Sequence, residues 1–121
     1  MATAGEALPK GRGFVSRLAA HEIVGMIAAK EIGIEEVVRD VLRDVEAVDP
    51  LLNCFVALDP DHVLAQAARL QRLMAGDASS LSSLGGLPIP VKDLIAAAHY
   101  PTTFGSKPFQ GNRMDADAPA V

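Results

Sequence analysis

At 121 residues and 12.7 kDa the chain has the size of one domain, able to remove roughly two thirds of its unfolded surface from water but too short for two separate cores. A hydrophobic fraction of 50% with 21% charged residues and a mean hydropathy of +0.23 is too apolar for a disordered chain and too often interrupted by charge for a membrane protein. The net charge of -4 and pI near 5.2 offer no basic stripe for phosphates, so no nucleic-acid partner is expected, and the single cysteine, Cys54, excludes an intrachain disulfide and an all-cysteine metal site.

Residues 1–16 are small, punctuated by Gly and Pro, and aperiodic, which reads as a flexible lead that a fold can dispense with, the ordered part running over 17–121. The lead has no apolar run that could form the core of a signal peptide. Elsewhere no stretch approaches the roughly 20 apolar residues that span a bilayer. The expected location is cytoplasmic, with no membrane partner.

From Leu18 to Ala29 the residues Ala19, Ala20, Ile23, Val24 and Ile27 recur at helical spacing until Gly33 breaks the pattern. A second helix is expected from Glu35 to Val48, with Val37, Val38, Val41, Leu42, Val45 and Val48 in one stripe and acids and arginines covering the rest. Its first turn carries Glu35 and Glu36 at the positive end of the dipole, the like-charged Glu36 and Asp40 are offset by Asp40 with Arg43, and Asp49-Pro50 stops it. Asn53 to Leu58 is a short apolar run closed by Asp59-Pro60 and reads as a buried strand in which Cys54 is plain core. A third helical stripe follows, Val63, Leu64, Ala67, Ala68, Leu70 and Met74, with Gln66, Arg69, Gln71 and Arg72 outward and Gly76 at its end.

Asp77 to Gly86 reads as a Ser/Gly loop. Leu87 to Leu94 is apolar around Lys92, and Pro88 and Pro90 remove two ladder donors, so an edge strand is expected there. Tyr100 to Asn112 is a long loop, and Ala116 to Val121 resembles a first helical turn.

The segments Gly85-Gly86-Leu87-Pro88-Ile89-Pro90-Val91-Lys92-Asp93, Pro101-Thr102-Thr103-Phe104-Gly105-Ser106 and Asp117-Ala118-Pro119-Ala120-Val121 together resemble the amidase signature family. Val45 to Pro50, Leu52 to Val56 and the alanine-rich Ala65 to Leu73 extend the resemblance, which covers roughly Ala19 to Val121. It implies an α/β fold, here the N-terminal helices plus the first strands of a mixed sheet, incomplete. It also implies hydrolysis of a small-molecule amide by a Ser, cis-Ser, Lys triad, without cofactor or metal. In that scheme a neutral lysine activates the nucleophilic serine through the bridging cis-serine, and loop amides hold the oxyanion.

Lys92 matches the family's lysine. To act as a base near neutrality it must titrate well below its ordinary value, a preference of roughly 4 kcal/mol for the neutral form, and burial among Ile89, Val91, Leu94 and Ile95 is expected to provide it. A lysine at the end of a short strand is otherwise a solvated residue guarding an edge. The serine pair belongs to a Gly/Ser-rich segment downstream of the lysine, which this chain does not carry, and Ser79 to Gly86 precede the lysine in the wrong order. Ala96 and His99 stand where the family often has an acid and a glycine, and Gly33-Ile34 where a Ser/Thr cap is commoner.

The remaining candidates are weaker. His21-Glu22 starts like a zinc-protease motif, but Gly25 stands where the second histidine is needed. Cys54, His62 and His99 fit no ligand spacing. Thr102, Thr103 and Ser106 either donate hydroxyls around Lys92 or form an ordinary surface turn, and both readings stay open. Lys107, Arg113, Asp115 and Asp117 read as a solvated charged loop, and Gly105-Ser106-Lys107 lacks the order of a phosphate loop.

The expectation is therefore the N-terminal fragment of an amidase-type hydrolase cleaving carbon-nitrogen bonds, inactive by itself. A chain like the A-subunit of glutamyl-tRNA(Gln) amidotransferase is the alternative within the family. A non-catalytic interaction module, self-associating or bound to a complementing chain, is the alternative outside it.

Overall fold

The computed structural model describes residues 13–77 and 82–121. Most of the lead segment and the serines Ser79 and Ser80 of the loop before the lysine lie outside these residues. The described chain divides into two units, one running through Cys54 and again over Asp59–Pro88, the other comprising Phe55–Leu58 and Ile89–Val121.

The first unit is helical. Helix α1 (Ala20–Ala28) begins where the Glu22 carboxylate reaches back to accept from the Ala19 N–H at 2.7 Å. It ends before the expected break at Gly33. Lys30 takes the left-handed conformation (φ 60°), and its N–H and that of Glu31 bond back to Ile27 O at 3.0 Å and Met26 O at 2.9 Å, a Schellman closure with lysine where glycine is usual. Gly33 starts the next helix instead. Helix α2 (Ile34–Leu52) has Gly33 at its N-cap with no side chain to offer, and Gln71 supplies the acceptor, taking the Ile34 N–H at 2.6 Å. Gln71 therefore faces α2 rather than solvent.

Helix α2 continues through Asp49-Pro50, the expected stop. Pro50 lies in its last turn, where one missing N–H leaves the other helix bonds intact, and the Asn53 N–H closes the end on Asp49 O at 2.7 Å with Asn53 left-handed at φ 49°. Helix α3 (Pro60–Gly76) starts as its sequence indicates, with Pro60 in the first turn and the Asp59 carboxylate accepting from the His62 N–H at 3.0 Å.

Helices α2 and α3 pack together, and the core holds Ile23, Ile27, Ile32, Ile34, Val37, Val38, Ala67 and Met74. Val15 joins them from a 3-10 turn at Val15–Arg17, upstream of the expected start of order. That turn is held by α2: Asp40, itself buried, accepts from the Val15 N–H at 2.9 Å, while Asp44 accepts from the Gly13 N–H at 2.8 Å and from the Ser16 hydroxyl. On the surface Arg39 pairs with Glu35 at 2.8 Å, while the exposed Arg43 reaches the buried Asp40. Gly86 lies against the same core with φ +92°, and Leu87 packs on it.

The second unit contains a 3-10 turn at Lys107–Phe109 and one isolated bridge between Pro101 and Arg113. Here the α/β expectation is overturned: among the described residues there is no strand and no sheet, and the fold is helical. Asn53 to Leu58 and Leu87 to Lys92 are irregular, not strands. A strand exists only through the ladder it makes with another, and neither run has one; Pro88 and Pro90 withhold two of the donors a ladder needs. Cys54 is accordingly exposed rather than core.

Candidate functional site

Lys92 sits in the second unit at the start of a turn, its carbonyl accepting from the Ile95 N–H at 2.9 Å. It is exposed, and so are Ile89, Val91, Leu94 and Ile95, the residues expected to enclose it. Apolar neighbours in sequence desolvate an amine only when something packs over them, and in this unit the run lies at the surface.

The ordered chemistry is next door, at Asp93. One carboxylate oxygen accepts from the Thr103 N–H at 2.6 Å, and the other accepts from the Thr103 hydroxyl and from the Gly105 N–H at 3.1 Å. The Asp93 carbonyl in turn accepts from the Phe104 N–H at 3.1 Å. The Thr103 hydroxyl first, then the Thr103 amide, lowers the Asp93 carboxyl from its ordinary value; desolvation opposes them, and the Gly105 amide adds the smallest lowering effect. The turn it grips has Phe104 at φ 55° and Gly105 at φ 65°, closed by the Ser106 N–H on Thr103 O at 2.9 Å.

Of the threonine segment's hydroxyls, that of Thr103 is placed by this contact. The Thr103 hydroxyl is neither idle nor turned to Lys92; it bonds Asp93. Thr102 is buried, its N–H donating to Asn112 O at 2.8 Å while its carbonyl accepts from the Asn112 side-chain amide at 2.9 Å. Asp117 accepts from the Ala98 N–H at 2.7 Å, and Arg113 donates to His99 O at 2.5 Å. These two charged residues tie the chain's last stretch to the segment following Lys92 rather than merely being solvated. Lys107 and Asp115 are exposed.

Elsewhere the candidates separate. Glu22 caps α1, and His21 is exposed. The Cys54 thiol donates to Asp49 at 3.2 Å; that hydrogen bond first, then desolvation and the carboxylate's charge, push it above its ordinary value, which makes it a poorer nucleophile. The His99 ring meets Tyr100 edge-on at 4.9 Å.

Sequence reasoning picks out Lys92 and passes over Asp93. A signal was present: an acid next to Lys92 inside the apolar run, with a Thr-x-Gly turn ten residues on offering a hydroxyl and two amides.

Comparison with known proteins gives this geometry a context. A family model described as Amidase matches residues 36–121. The chain is 40% identical over 106 residues to the A-subunit of glutamyl-tRNA(Gln) amidotransferase from Acidothermus cellulolyticus, covering 87% of this chain and 21% of that protein. It is 35% identical over 105 residues to an acylamidase of Rhodococcus erythropolis, covering 86% and 22%. It is 34% identical over 104 residues to the corresponding glutamyl-tRNA(Gln) amidotransferase A-subunit of Mycobacterium tuberculosis, covering 86% and 21%. The chain thus spans about a fifth of the length of the curated relatives it matches. No solved structure matches it at a significant level.

Proposed function

The chain belongs to the amidase family, and we propose that it is the lysine-bearing part of an amide hydrolase in which Lys92 serves as the base of a Ser, cis-Ser, Lys triad. The observation that carries the reading is the place of Lys92 within the matched residues, in the phrase Val91-Lys92-Asp93 and directly beside the Asp93 clasp. Downstream of it the chain has one serine, Ser106, so a serine pair has to come from other residues than these. The 121-residue chain alone is therefore inactive toward amides.

A chimera tests the role. Residues 17–121 replace the matching fifth of the Rhodococcus acylamidase, and hydrolysis of that enzyme's acylamide substrate is measured. Turnover is expected, with Lys92→Ala lowering it by about 100-fold or more, the scale of a lost general base. A Lys92→Ala chimera as fast as its parent overturns the assignment, and turnover by the isolated chain overturns its inactivity.

The 40% identity to the Acidothermus protein favours a second reading, a chain that serves as the A-subunit of such an amidotransferase. The same exchange made in the Acidothermus protein, assayed by amidation of glutamyl-tRNA(Gln), separates the two: function in that frame and not in the acylamidase favours the second.

A further inference from the structure

We propose that Asp93 is the positioning residue of Lys92, fixing the lysine's backbone by clasping the Thr103–Gly105 turn. The inference rests on the reading of Lys92 as a base and adds to it a residue that acts through the main chain.

The two peptide groups that follow Lys92 are both held. The carbonyl of Lys92 accepts from the Ile95 N–H at 2.9 Å, and that of Asp93 accepts from the Phe104 N–H at 3.1 Å. Between them the Asp93 carboxylate takes the Thr103 N–H at 2.6 Å, the Thr103 hydroxyl and the Gly105 N–H at 3.1 Å. Rotation about either backbone bond of Asp93 breaks at least one of these contacts. The residue that carries the amine is thus anchored at its carbonyl end while its side chain, being exposed, stays free to reach.

The partner turn is itself specialised. Phe104 adopts a positive φ of 55°, which bulky side chains rarely accept, and such conformations persist where surrounding contacts over-determine them. Here Asp93 holds the residues on either side of it, together with the Ser106 N–H on Thr103 O and the Phe109 ring edge-on to Phe104 at 5.4 Å. Thr103 is buried, and its hydroxyl is directed by its hydrogen bond to the Asp93 carboxylate. A surface loop needing only to connect its ends has no use for this arrangement; a general base does, because a displacement of about 1 Å can cost 100-fold in rate.

The full 121-residue chain, labelled with nitrogen-15, gives the direct test. Backbone order parameters at Lys92, Thr103 and Gly105 are expected at about 0.85, falling below ~0.6 in Asp93→Ala and to intermediate values in Thr103→Val, while Thr103→Ser retains them. Unchanged signals from α2 and α3 verify that each variant is folded, and the milder Thr103→Val serves if Asp93→Ala is not. Order at Lys92 that is unaltered in the folded variants overturns the proposal.

In the acylamidase chimera, Asp93→Asn and Thr103→Val should lower kcat about tenfold and leave KM within about twofold, with Thr103→Ser near the parent rate. An unchanged kcat, or a loss confined to KM, also overturns it. If the chimera with Lys92 intact has no turnover, the hydrolase reading fails by itself, and the relaxation data alone decide the clasp.

Discussion

A methyl group added at Gly86 would lie 2.9 Å from Ile34 Cγ1 and 3.0 Å from Ile27 Cδ1, both among the most deeply buried side chains, at a φ of +92° that L-residues avoid. Overpacking and backbone strain act together, so Gly86→Ala is expected to destabilise the helical unit by about 1–3 kcal/mol, read from the shift in urea midpoint followed by helical circular dichroism. An unshifted midpoint would show that Gly86 does not rest on the core. Its role was only half legible. The Gly85-Gly86 pair marks a turn in any reading of the sequence, but that the turn lies on α1 and α2 depends on contacts between residues far apart in the chain. Asp40 is a similar case. On a helical wheel it belongs to the polar cover of α2, yet it is buried, because its partner is the backbone of Val15 in a segment whose sequence looks dispensable.

The junction between Gln71 and Gly33 shows how one helix completes another. An N-terminal helix amide without an acceptor is costly, glycine has no side chain to provide one, and Gln71 on α3 accepts from the Ile34 N–H instead. Gln71→Ala should cost about 1 kcal/mol, and Gly33→Ser in that background should recover only a few tenths of it, through the Glu35 or Glu36 N–H rather than that of Ile34, since Gly33 has the extended backbone (φ -84°, ψ 149°) of an ordinary capping residue. In the unmodified chain the gain from Gly33→Ser should be smaller, because the new Cβ lies 3.2 Å from the Gln71 amide oxygen. Urea titrations of the three variants check this, and a Gln71→Ala midpoint equal to the parent's excludes the cap. The three helices are legible in the sequence because their apolar period is local and needs no partner to be recognised. Their ends are less so: Lys30 and Asn53 terminate helices through left-handed backbone that neither Gly33 nor Pro50 announces. The expected strands fail for a different reason. An apolar run such as Asn53 to Leu58 satisfies the local criteria for a strand, but a strand is a relation between two segments, and among the described residues neither expected strand pairs with another segment, so both are irregular.

Stability is unevenly distributed between the two units. Every buried apolar residue among those described belongs to the helical unit, whereas the buried residues of the second are Thr102 and Thr103. The second unit instead exposes large apolar side chains, Val56 at 63% and Ile89 at 62% among them, and its order comes from hydrogen bonds: Asp93 with the Thr103–Gly105 turn, Thr102 with Asn112, Asp117 with Ala98. Each such bond contributes only about 1 kcal/mol net, because water offers the same groups nearly equivalent partners, while burying one large aliphatic side chain contributes roughly 1.5–3 kcal/mol. A unit built on the former opens with less free energy than one built on the latter. Native-state hydrogen exchange should therefore give two tiers: amides of α2 and α3 near Val38 and Ala67 exchanging only with the global unfolding of the helical unit, and amides of Ile89–Val121 exchanging far sooner. Within that second tier the Thr103, Phe104 and Gly105 amides, bonded to Asp93, should be the slowest, and Asp93→Asn should bring them to the rate of their neighbours without altering the helical tier. Uniform protection across both units would mean that the second has a source of stability other than its hydrogen bonds. A second tier lacking that slow trio would remove Asp93 as its organising residue.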